Sequence, residues 1–235
     1  MLAIISHTFP TEAEETLLSL GHHTLRLPPH PNLPQPIASH PDMLLFFAPN
    51  AIFCTESYSK IATKELEEIS AAYGAPIRHI EKEYGNTYPY DVPLNALPLE
   101  KQLFCNTKTV AQELLELDFV PSHVNQGYTK CSSLPLGSNA LITSDTTIAA
   151  CAKEHDIDVL QICEGYISLA GYDHGFIGGC ASFDPRGRMN TVFFCGNLSR
   201  HPDCEKINSF CCAHNFIVKS LFDADLCDVG TFFMI

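Results

Sequence analysis

The sequence of 235 residues contains no tryptophan, few basic residues and no long apolar run. Fourteen Lys and Arg stand against twenty-seven Asp and Glu, which gives a formal charge of −13. A chain with this charge repels phosphate backbones, so we expect no nucleic-acid partner. No apolar run approaches the roughly 18 residues of a membrane-spanning helix, so we expect no membrane partner either. With 46% hydrophobic and 17% charged residues, the composition excludes an intrinsically disordered chain.

The sequence also lacks the marks of an exported, disulfide-bonded protein. Its first residues have no basic region and only a short apolar run, unlike a secretory signal peptide. The eleven cysteines are an odd number that cannot pair completely, and no two of them have the Cys-x-x-Cys spacing. We therefore expect a cytoplasmic protein with reduced thiols, of undetermined oligomeric state.

Five apolar runs recur at similar spacing along the chain, at residues 2–6, 50–55, 101–106, 139–144 and 190–195. A helical pattern follows each run, as in Ile148, Cys151, Ala152 and His155. A strand-like run follows each helix, and a short extended segment such as residues 43–47 precedes most of the apolar runs. The pattern predicts five ββαβ units that close around an axis, in a single domain covering residues 1–235.

Four stretches carry a resemblance to a known fold: residues 88–92 (YPYDV), 124–132 (VNQGYTKCS), 171–179 (GYDHGFIGG) and 228–231 (DVGT). Together with the five units, they make the chain similar to an uncharacterised bacterial family of the pentein fold. This fold is a five-bladed α/β propeller of ββαβ repeats. It is shared by the guanidino-group-modifying enzymes, which include arginine deiminases, amidinotransferases and, at a greater distance, dimethylarginine dimethylaminohydrolases.

The resemblance implies a chemistry in which a cysteine near the carboxyl terminus attacks a guanidinium carbon. A histidine transfers protons, and carboxylates hold the cation. Matched position by position, Asp91 is the carboxylate, but Gln126 stands at the histidine position and Thr231 at the cysteine position. Cys227 reaches that position only after a shift of four residues. Since an amide does not titrate, Gln126 cannot be the base that a threonine nucleophile requires.

Polar residues in the glycine-rich segment 171–179 form a further candidate site. We interpret Asp173 and His174 as an acid–base or substrate-binding pair at the mouth of the fold. A glycine-rich turn, in which the aspartate accepts from backbone amides, explains the segment equally well.

Asn125, Gln126, Tyr128 and Lys130 alternate, which predicts a strand with a polar face toward the axis. In this interpretation Lys130 holds an anionic end of the substrate; a strand edge with a solvated face is the alternative. Further polar residues extend the predicted lining: Asn86, Asp91, Asn95, Asp228 and Thr231. We expect all these strands to converge on one polar axial cavity.

Five residues near the carboxyl terminus have the composition of a zinc site: His201, Cys204, Cys211, Cys212 and His214. Cys211 and His214, however, share the apolar stripe of a predicted helix with Ile207 and Phe210. Free cysteine packs there as a small apolar side chain. We therefore predict no metal and no other cofactor.

The sequence supports two functions. The first is a divergent pentein that acts on or binds a small guanidino, amidine or amide compound. If it is active, we expect a C–N hydrolase or an amidinotransferase-like enzyme. Its predicted catalytic residues are Asp173, His174, Cys227 and Thr231, and its predicted substrate-binding residues are Asp91, Asn95, Asn125, Gln126, Lys130 and Asp228. The alternative is a non-catalytic pentein that binds a protein or the ribosome, similar to the ribosome anti-association factors.

Overall fold

The two ends of the chain pair in one sheet, which closes the series of repeating units. The computed structural model describes residues 1–184 and 190–235. In it β1 (Leu2–Ser6) lies between β2 (His23–Leu27), to which it is parallel, and β15 (Phe233–Met234), to which it is antiparallel. The backbones of Leu2 and Ile235 exchange two hydrogen bonds of 2.8 and 2.9 Å. The short strand missing before the first apolar run is therefore supplied by the carboxyl terminus.

Four further three-stranded sheets have the same order of strands. They are β3 (Phe46–Ala48), β4 (Ala51–Thr55) and β5 (Ile77–Ile80); β6 (Leu97–Leu99), β7 (Gln102–Cys105) and β8 (Val120–His123); β9 (Ser133–Leu136), β10 (Ala140–Thr143) and β11 (Asp158–Gln161); β12 (Ala181–Asp184), β13 (Asn190–Phe194) and β14 (Phe216–Ser220). In each sheet the first strand is antiparallel to the second, and the second is parallel to the third. We call β3, β6, β9, β12 and β15 the leading strands.

Helices connect the two parallel strands of every sheet, as parallel pairing requires. They are α1 (Thr11–Ser19), α3 (Glu56–Ile61) with α4 (Thr63–Tyr73), α5 (Gln112–Leu115), α6 (Thr146–Glu154) and α7 (Cys204–Ala213). A 3₁₀ turn, Leu198–Arg200, precedes α7 in the last of these connections, whereas α2 (Pro41–Leu44) and the 3₁₀ turn Gln35–Ile37 lie outside this pattern, between two sheets. The five predicted ββαβ units are confirmed. Within the described ranges, no helix is both long and apolar enough to span a bilayer.

Local sequence explains where these helices begin and end. Asp145 caps α6, because its Oδ1 accepts from the backbone N–H groups of Thr147 and Ile148 at 2.8 and 2.9 Å. α4 ends at Gly74, whose φ of +79° is a left-handed conformation that glycine adopts without strain. The helical segment after β4 is divided at Ala62 into α3 and α4, and α5 is a single turn.

Two predicted extended segments are wrong. Residues 43–44 belong to α2, so the strand begins only at Phe46. Residues 124–132 form bends and turns rather than a strand. Gln126 explains the second difference, because its Oε1 accepts from the Tyr128 N–H at 3.0 Å and its carbonyl accepts from the Thr129 hydroxyl at 2.6 Å. Such local bonds replace a strand ladder, so polar side chains here do not alternate between two faces.

Several cysteines lie at or directly beside strand ends or within helices. Cys54, Cys105, Cys195 and Cys211 are fully buried at 0% exposure, whereas Cys151 is partly exposed. All eleven cysteines are free thiols. Most of them therefore serve as small apolar side chains in the core.

Candidate functional site

Five short segments meet in the interior, and each precedes a leading strand by two to four residues. We call them the central ring and define it by one residue from each segment: Asp42, Asn95, Lys130, Gly179 and Thr231. Neighbouring segments are joined by hydrogen bonds, so the ring is closed. The ring thus brings together residues from all five units.

Asn95 joins two other segments of the central ring through its side-chain amide. Its Nδ2 donates to the carbonyl oxygen of Asp42 at 3.1 Å, and its Oδ1 accepts from the backbone N–H of Lys130 at 2.8 Å. The sulfur of Cys131 lies 3.1 Å from the same Nδ2. Because Asn95 is 1% exposed, its amide is used within the protein, and it lines neither of the two cavities described below.

Backbone hydrogen bonds close the rest of the ring. The Gly179 N–H donates to the carbonyl of Cys131 at 2.9 Å, and the Thr231 N–H donates to the carbonyl of Gly179 at 2.8 Å. The Asp42 N–H donates to the carbonyl of Gly230 at 3.0 Å. These buried bonds satisfy backbone groups that lie outside the sheets and fix the spacing of segments far apart in sequence.

Glycine is required where these segments approach the carboxylate of Asp228. A Cβ on Gly179 would lie 2.1 Å from Asp228 Oδ1, and a Cβ on Gly175 would lie 2.4 Å from the Asp228 Cβ. Gly178 packs equally closely against the carbonyl oxygen of Ser133, at 2.1 Å. The glycine-rich segment 171–179 therefore approaches its neighbours closely at these three positions.

Thr231 has an unusual backbone and a fully engaged hydroxyl. Its φ of +64° is a strained conformation for a β-branched residue. Its Oγ1 accepts from Lys130 Nζ at 2.9 Å and lies 3.0 Å from Asp42 Oδ2 and 2.6 Å from the Gly178 carbonyl oxygen. The single hydroxyl proton is therefore shared between the last two acceptors.

The Lys130 side chain is half-buried, and its ammonium lies deep in the molecule. Burial lowers the pKa of Lys130, while the nearby carboxylates of Asp42 and Asp228 act in the opposite direction. Its Nζ also lies 5.9 Å from the centre of the Phe233 ring, within reach of a cation–π interaction. The desolvation of this amine is the strongest influence on its charge.

Asp228 is buried beneath the glycine-rich segment. Its Oδ2 accepts from the Phe176 N–H at 2.8 Å and its Oδ1 from the Gly230 N–H at 2.9 Å. His40 Nδ1 lies 3.8 Å from Oδ1. Burial raises the pKa of Asp228, and His40 partly offsets this effect. Without a ligand, ionisation of the buried Asp228 side chain is unfavourable. A cation bound beside Asp228 would therefore stabilise its carboxylate form.

A second buried carboxylate, Asp91, is held by an aromatic hydroxyl. Tyr128 donates from its hydroxyl to Asp91 Oδ2 at 2.6 Å, while Oδ1 has no hydrogen-bond partner among the described residues. Burial raises the pKa of Asp91, and the Tyr128 bond opposes this shift. Tyr128 also stacks between Tyr88 and Phe176, with ring centres 5.6 and 6.1 Å away. Asp91 thus positions Tyr128 in the wall of a cavity.

A larger cavity of about 350 Å³ opens on one side of the central ring. Its polar end is formed mainly by Asp42, Lys130 and Thr231. The leading strands of all five sheets provide apolar side chains to its wall, among them Phe46, Leu97, Leu134, Phe183 and Phe233. This space is mainly apolar, with polar groups concentrated at the ring.

A smaller cavity of about 220 Å³ has a different wall. It is lined by Ile37, His40, Met43, Tyr128, Cys131, Leu169, Tyr172, Asp173, His174, Phe176 and Asp228. This wall combines two carboxylates, two histidines and three aromatic rings, and no Lys or Arg is among its described residues. The combination suits a small cation.

The order of residues along the chain separates the two cavities. With few exceptions, residues that follow the ring residue in each unit line the larger cavity, and those that precede it line the smaller one. The residues predicted for one axial cavity are thereby divided. Lys130 and Thr231 line the larger cavity, whereas Asp173, His174 and Asp228 line the smaller one. The prediction of a single cavity is wrong.

The other predicted residues line neither cavity. Asn125 is exposed, and its carbonyl accepts from the Asn106 amide at 3.1 Å. Gln126 binds its own turn and, at 3.4 Å, Asp145. Cys227 is half-buried, with its sulfur 3.4 Å from that of Cys195, whose thiol lowers the pKa of Cys227.

The sequence interpretation missed His40 and Asp42, which lie beside Pro41 after an irregular connection. Both are almost fully buried, at 2% and 1% exposure. Their position a few residues before a leading strand matches that of Asn95 and Lys130. The signal that identifies them is therefore a polar residue just before a leading strand. This signal can be recognised only when the positions of the leading strands in the repeat are known.

The cysteine- and histidine-containing segment near the carboxyl terminus has other partners. His201 Nδ1 accepts from the Asp203 N–H at 3.0 Å, and His214 Nε2 lies 3.0 Å from Asp158 Oδ2. In residues 1–184 and 190–235, no three His, Cys, Asp or Glu side chains are grouped so that they could hold a metal ion.

Comparison with sequence families gives one match, which covers residues 4–233. Its model is described as a family of unknown function, DUF6873. No curated protein sequence matches the chain.

Solved structures include two with the same fold. The first is SxtG, an amidinotransferase from Microseira wollei in the saxitoxin biosynthetic pathway, with a TM-score of 0.55 and 11% identity over 93% of this chain and 78% of that chain. The second is the agmatine deiminase of C. jejuni, with a TM-score of 0.51 and 8% identity over 95% of this chain and 87% of that chain. The predicted pentein fold is thus confirmed.

Proposed function

Because the chain belongs to the family of unknown function DUF6873 and has the pentein fold, we propose that it binds a small guanidino, amidine or amide compound in the smaller cavity. The observation that carries this proposal is the wall of that cavity, with its carboxylates and aromatic faces and without Lys or Arg among the described residues. A cation is the favoured ligand, in line with the net charge of −13.

Two carboxylates at different depths support recognition of a cation. Asp228 lies deep in the wall, and Asp173 is exposed at the mouth. The oxygens of Asp228 each accept one backbone N–H and retain a lone pair for the ligand. A guanidinium placed there would form charge-assisted hydrogen bonds and reverse the cost of ionising Asp228.

Aromatic faces support recognition of a planar cation. Tyr128, Tyr172 and Phe176 line the cavity, and the planes of Tyr128 and Phe176 are inclined by only 30°. A guanidinium or amidinium group stacks on such faces through cation–π interaction. The Asp91 hydrogen bond keeps Tyr128 in this orientation.

Neither predicted nucleophile lines the smaller cavity. The Thr231 hydroxyl is bonded within the central ring and faces the larger cavity, and the Cys227 sulfur is directed toward Cys195. Cys131 is the one thiol among the described residues of the smaller cavity, and burial together with the carboxylates of Asp42 and Asp228 raises its pKa well above the ordinary value, which disfavours the reactive thiolate. A hydrolytic reaction in the smaller cavity would therefore use water as the nucleophile, with His40 or His174 to transfer protons. We propose binding as the primary function of the smaller cavity and place no covalent intermediate there.

A second candidate function, docking of a protein or ribosomal partner, is favoured by exposed aromatic side chains. Tyr88 and Tyr90 are 49% and 70% exposed, and Tyr88 stacks on Tyr128 in the cavity wall. Exposed tyrosines are common at interfaces. The presence of a formed cavity nevertheless favours binding of a small ligand over docking of a protein partner.

The proposal is tested by calorimetry and product analysis with a panel of guanidino, amidine and amide compounds, including arginine and agmatine. We expect binding of at least one cation, weakened by about two- to fivefold in Asp173→Asn, because this carboxylate is exposed. Phe176→Leu should weaken it by about fivefold through loss of the ring face. Asp118→Asn removes an exposed carboxylate outside the cavity and is the matched control. Neither binding nor turnover across the panel would reject the proposal.

A further inference from the structure

The larger cavity contains one amine in a mainly apolar wall. Lys130 contributes its ammonium at the ring end, and the described lining residues include no other Lys and no Arg. Phe47, Tyr73 and Phe233 belong to the apolar part of the wall. At about 350 Å³, the space has the size of a small-molecule site.

Lys130 has few partners for a deeply placed ammonium. Among the described residues it forms a hydrogen bond to Thr231 Oγ1, at 2.9 Å, and no ion pair. Of its three N–H donors, two therefore have no partner among the described side chains and backbone. A charged amine in such surroundings is costly, and loss of its proton removes this cost.

A path for that proton is present in the ring. Lys130 Nζ donates to Thr231 Oγ1, and Thr231 Oγ1 lies 3.0 Å from Asp42 Oδ2. When the threonine hydroxyl donates to Asp42, the three groups form a continuous chain from ammonium to carboxylate. Asp42 is 1% exposed, and its Oδ1 has no hydrogen-bond partner among the described residues, so the carboxylate at the end of this chain has an oxygen free to accept.

We propose that Lys130 is a nucleophilic amine and that the larger cavity takes a small, largely apolar aldehyde or ketone, with which Lys130 forms an imine. Desolvation in an apolar pocket favours the neutral amine of lysine, and this is the form that reacts with carbonyl compounds. The lowered pKa of Lys130 agrees with this role. The site lies in a different cavity from the one assigned to the guanidino ligand, so each proposal stands or fails by itself.

The reaction is balanced with the groups at hand. The ammonium proton of Lys130 moves to Thr231 as the threonine proton moves to Asp42, which leaves a neutral amine. The amine lone pair attacks the carbonyl carbon, the C–N bond forms as the C–O π bond breaks, and the oxygen takes the proton returned from Asp42 through Thr231. The nitrogen of this adduct gives a proton back along the same path, and that proton passes to the hydroxyl group, which leaves as water while the nitrogen lone pair forms the C=N bond. The product is the protonated imine, so the net change is ammonium plus carbonyl compound to protonated imine plus water.

The wall selects the rest of the ligand. Leading strands of all five sheets present apolar side chains, which favour a hydrocarbon body of about six to ten carbon atoms in a space of this size. A carboxylate on the ligand would lie near Asp42 and be repelled by it. A neutral carbonyl group avoids this repulsion.

The test is reductive trapping with hexanal and cyanoborohydride at neutral pH, followed by peptide mass mapping. We expect hexyl groups on Lys130 before they appear on the exposed side chains of Lys60 and Lys206, which are 70% and 67% accessible. Glyceraldehyde, a polar aldehyde, should show no preference for Lys130. Hexanamide, which has the same body but does not form an imine, should protect Lys130 from hexanal.

Two variants complete the test. Thr231→Val keeps the shape but interrupts the proton path, and it should slow labelling of Lys130 about tenfold without changing that of Lys60. Lys130→Met should abolish the early label. Because both variants alter the ring, protection by hexanamide in the unmodified protein is the decisive comparison. Labelling confined to exposed lysines, or labelling of Lys130 that hexanamide does not slow, would overturn the proposal.

Discussion

The Lys130 ammonium donates to the Thr231 hydroxyl at 2.9 Å, although the two residues are 101 positions apart in the chain. Thr231 stands where the resemblance to guanidino-group-modifying enzymes places a cysteine nucleophile. In this protein the position is part of a hydrogen-bonded ring and faces an apolar cavity. The carboxylates and aromatic rings suited to a cation lie in a second cavity, lined by residues that precede the ring in each unit.

Asn95→Ala should destabilise the protein strongly. The substitution leaves the Lys130 N–H and the Asp42 carbonyl without their partners in the interior, at a cost of about 3 kcal/mol. The measurement is the free energy of unfolding in urea. Asn125→Ala is the matched control, because this side chain is exposed and the change should stay within about 0.5 kcal/mol. Equal effects of the two variants would contradict the role given to Asn95.

Gly179→Ala should cost more than the same change at Gly137. The added Cβ at Gly179 would lie 2.1 Å from Asp228 Oδ1, so the buried carboxylate must move, at a cost of about 3 kcal/mol or more. Gly137 has open space but a φ of +68°, so alanine there pays only the conformational cost of about 1–2 kcal/mol. Thermal and urea unfolding distinguish the two. A smaller loss at Gly179 would show that Asp228 is not held as described.

Asp91→Asn should change how stability depends on pH. Burial raises the folded pKa of Asp91, so the contribution of this residue to stability is fully present below the ordinary aspartate pKa and is lost as the pH rises through the folded value. The variant does not ionise and keeps its stability. The unfolding free energy of the variant should therefore increase relative to that of the wild type as the pH rises above about 4.

Urea unfolding at several pH values between 3 and 7 measures this difference. Asp118→Asn, at an exposed position, is the control, and its curve should run parallel to that of the wild type. Parallel curves for Asp91→Asn as well would mean that Asp91 ionises at no extra cost.

Cys227→Ser should leave ligand binding in the smaller cavity unchanged. The Cys227 sulfur contacts Cys195 at 3.4 Å and is not among the lining residues. Calorimetry with a guanidino compound that binds the wild type should give the same affinity for the variant, whereas Asp173→Asn should weaken it. Loss of binding or of an observed turnover in Cys227→Ser would place this thiol in the reaction after all.

The repeat was predictable from the sequence because each unit buries its own strands. A strand such as β10 is apolar in three of its four residues and buried throughout, and α6 behind it has Ile148 and Ala152 at helical spacing. The closing strand at Phe233 was not predictable in the same way, because two residues carry too little pattern. Its pairing with β1 is decided by tertiary contacts between the ends of the chain.

Some of the residues expected to line one axial cavity do lie close together, although in two groups. Asp173, His174 and Asp228 do share a cavity, and Lys130 does lie beside Thr231. The division into two cavities depends on turns such as residues 124–132, where local bonds of Gln126 decide the path of the chain. His40 and Asp42 were not predicted, because the proline-rich connection that contains them has no regular spacing of apolar residues. Without such spacing, the sequence does not indicate which side chains point inward.

The most direct measurement is a crystal structure of the protein soaked with guanidino compounds such as arginine. We expect density for the cation in the smaller cavity, with a guanidinium nitrogen at hydrogen-bond distance from the Asp228 carboxylate and its plane against Tyr128 or Phe176. A guanidino ligand bound in the larger cavity beside Lys130, or no bound ligand at saturating concentration, would contradict this expectation.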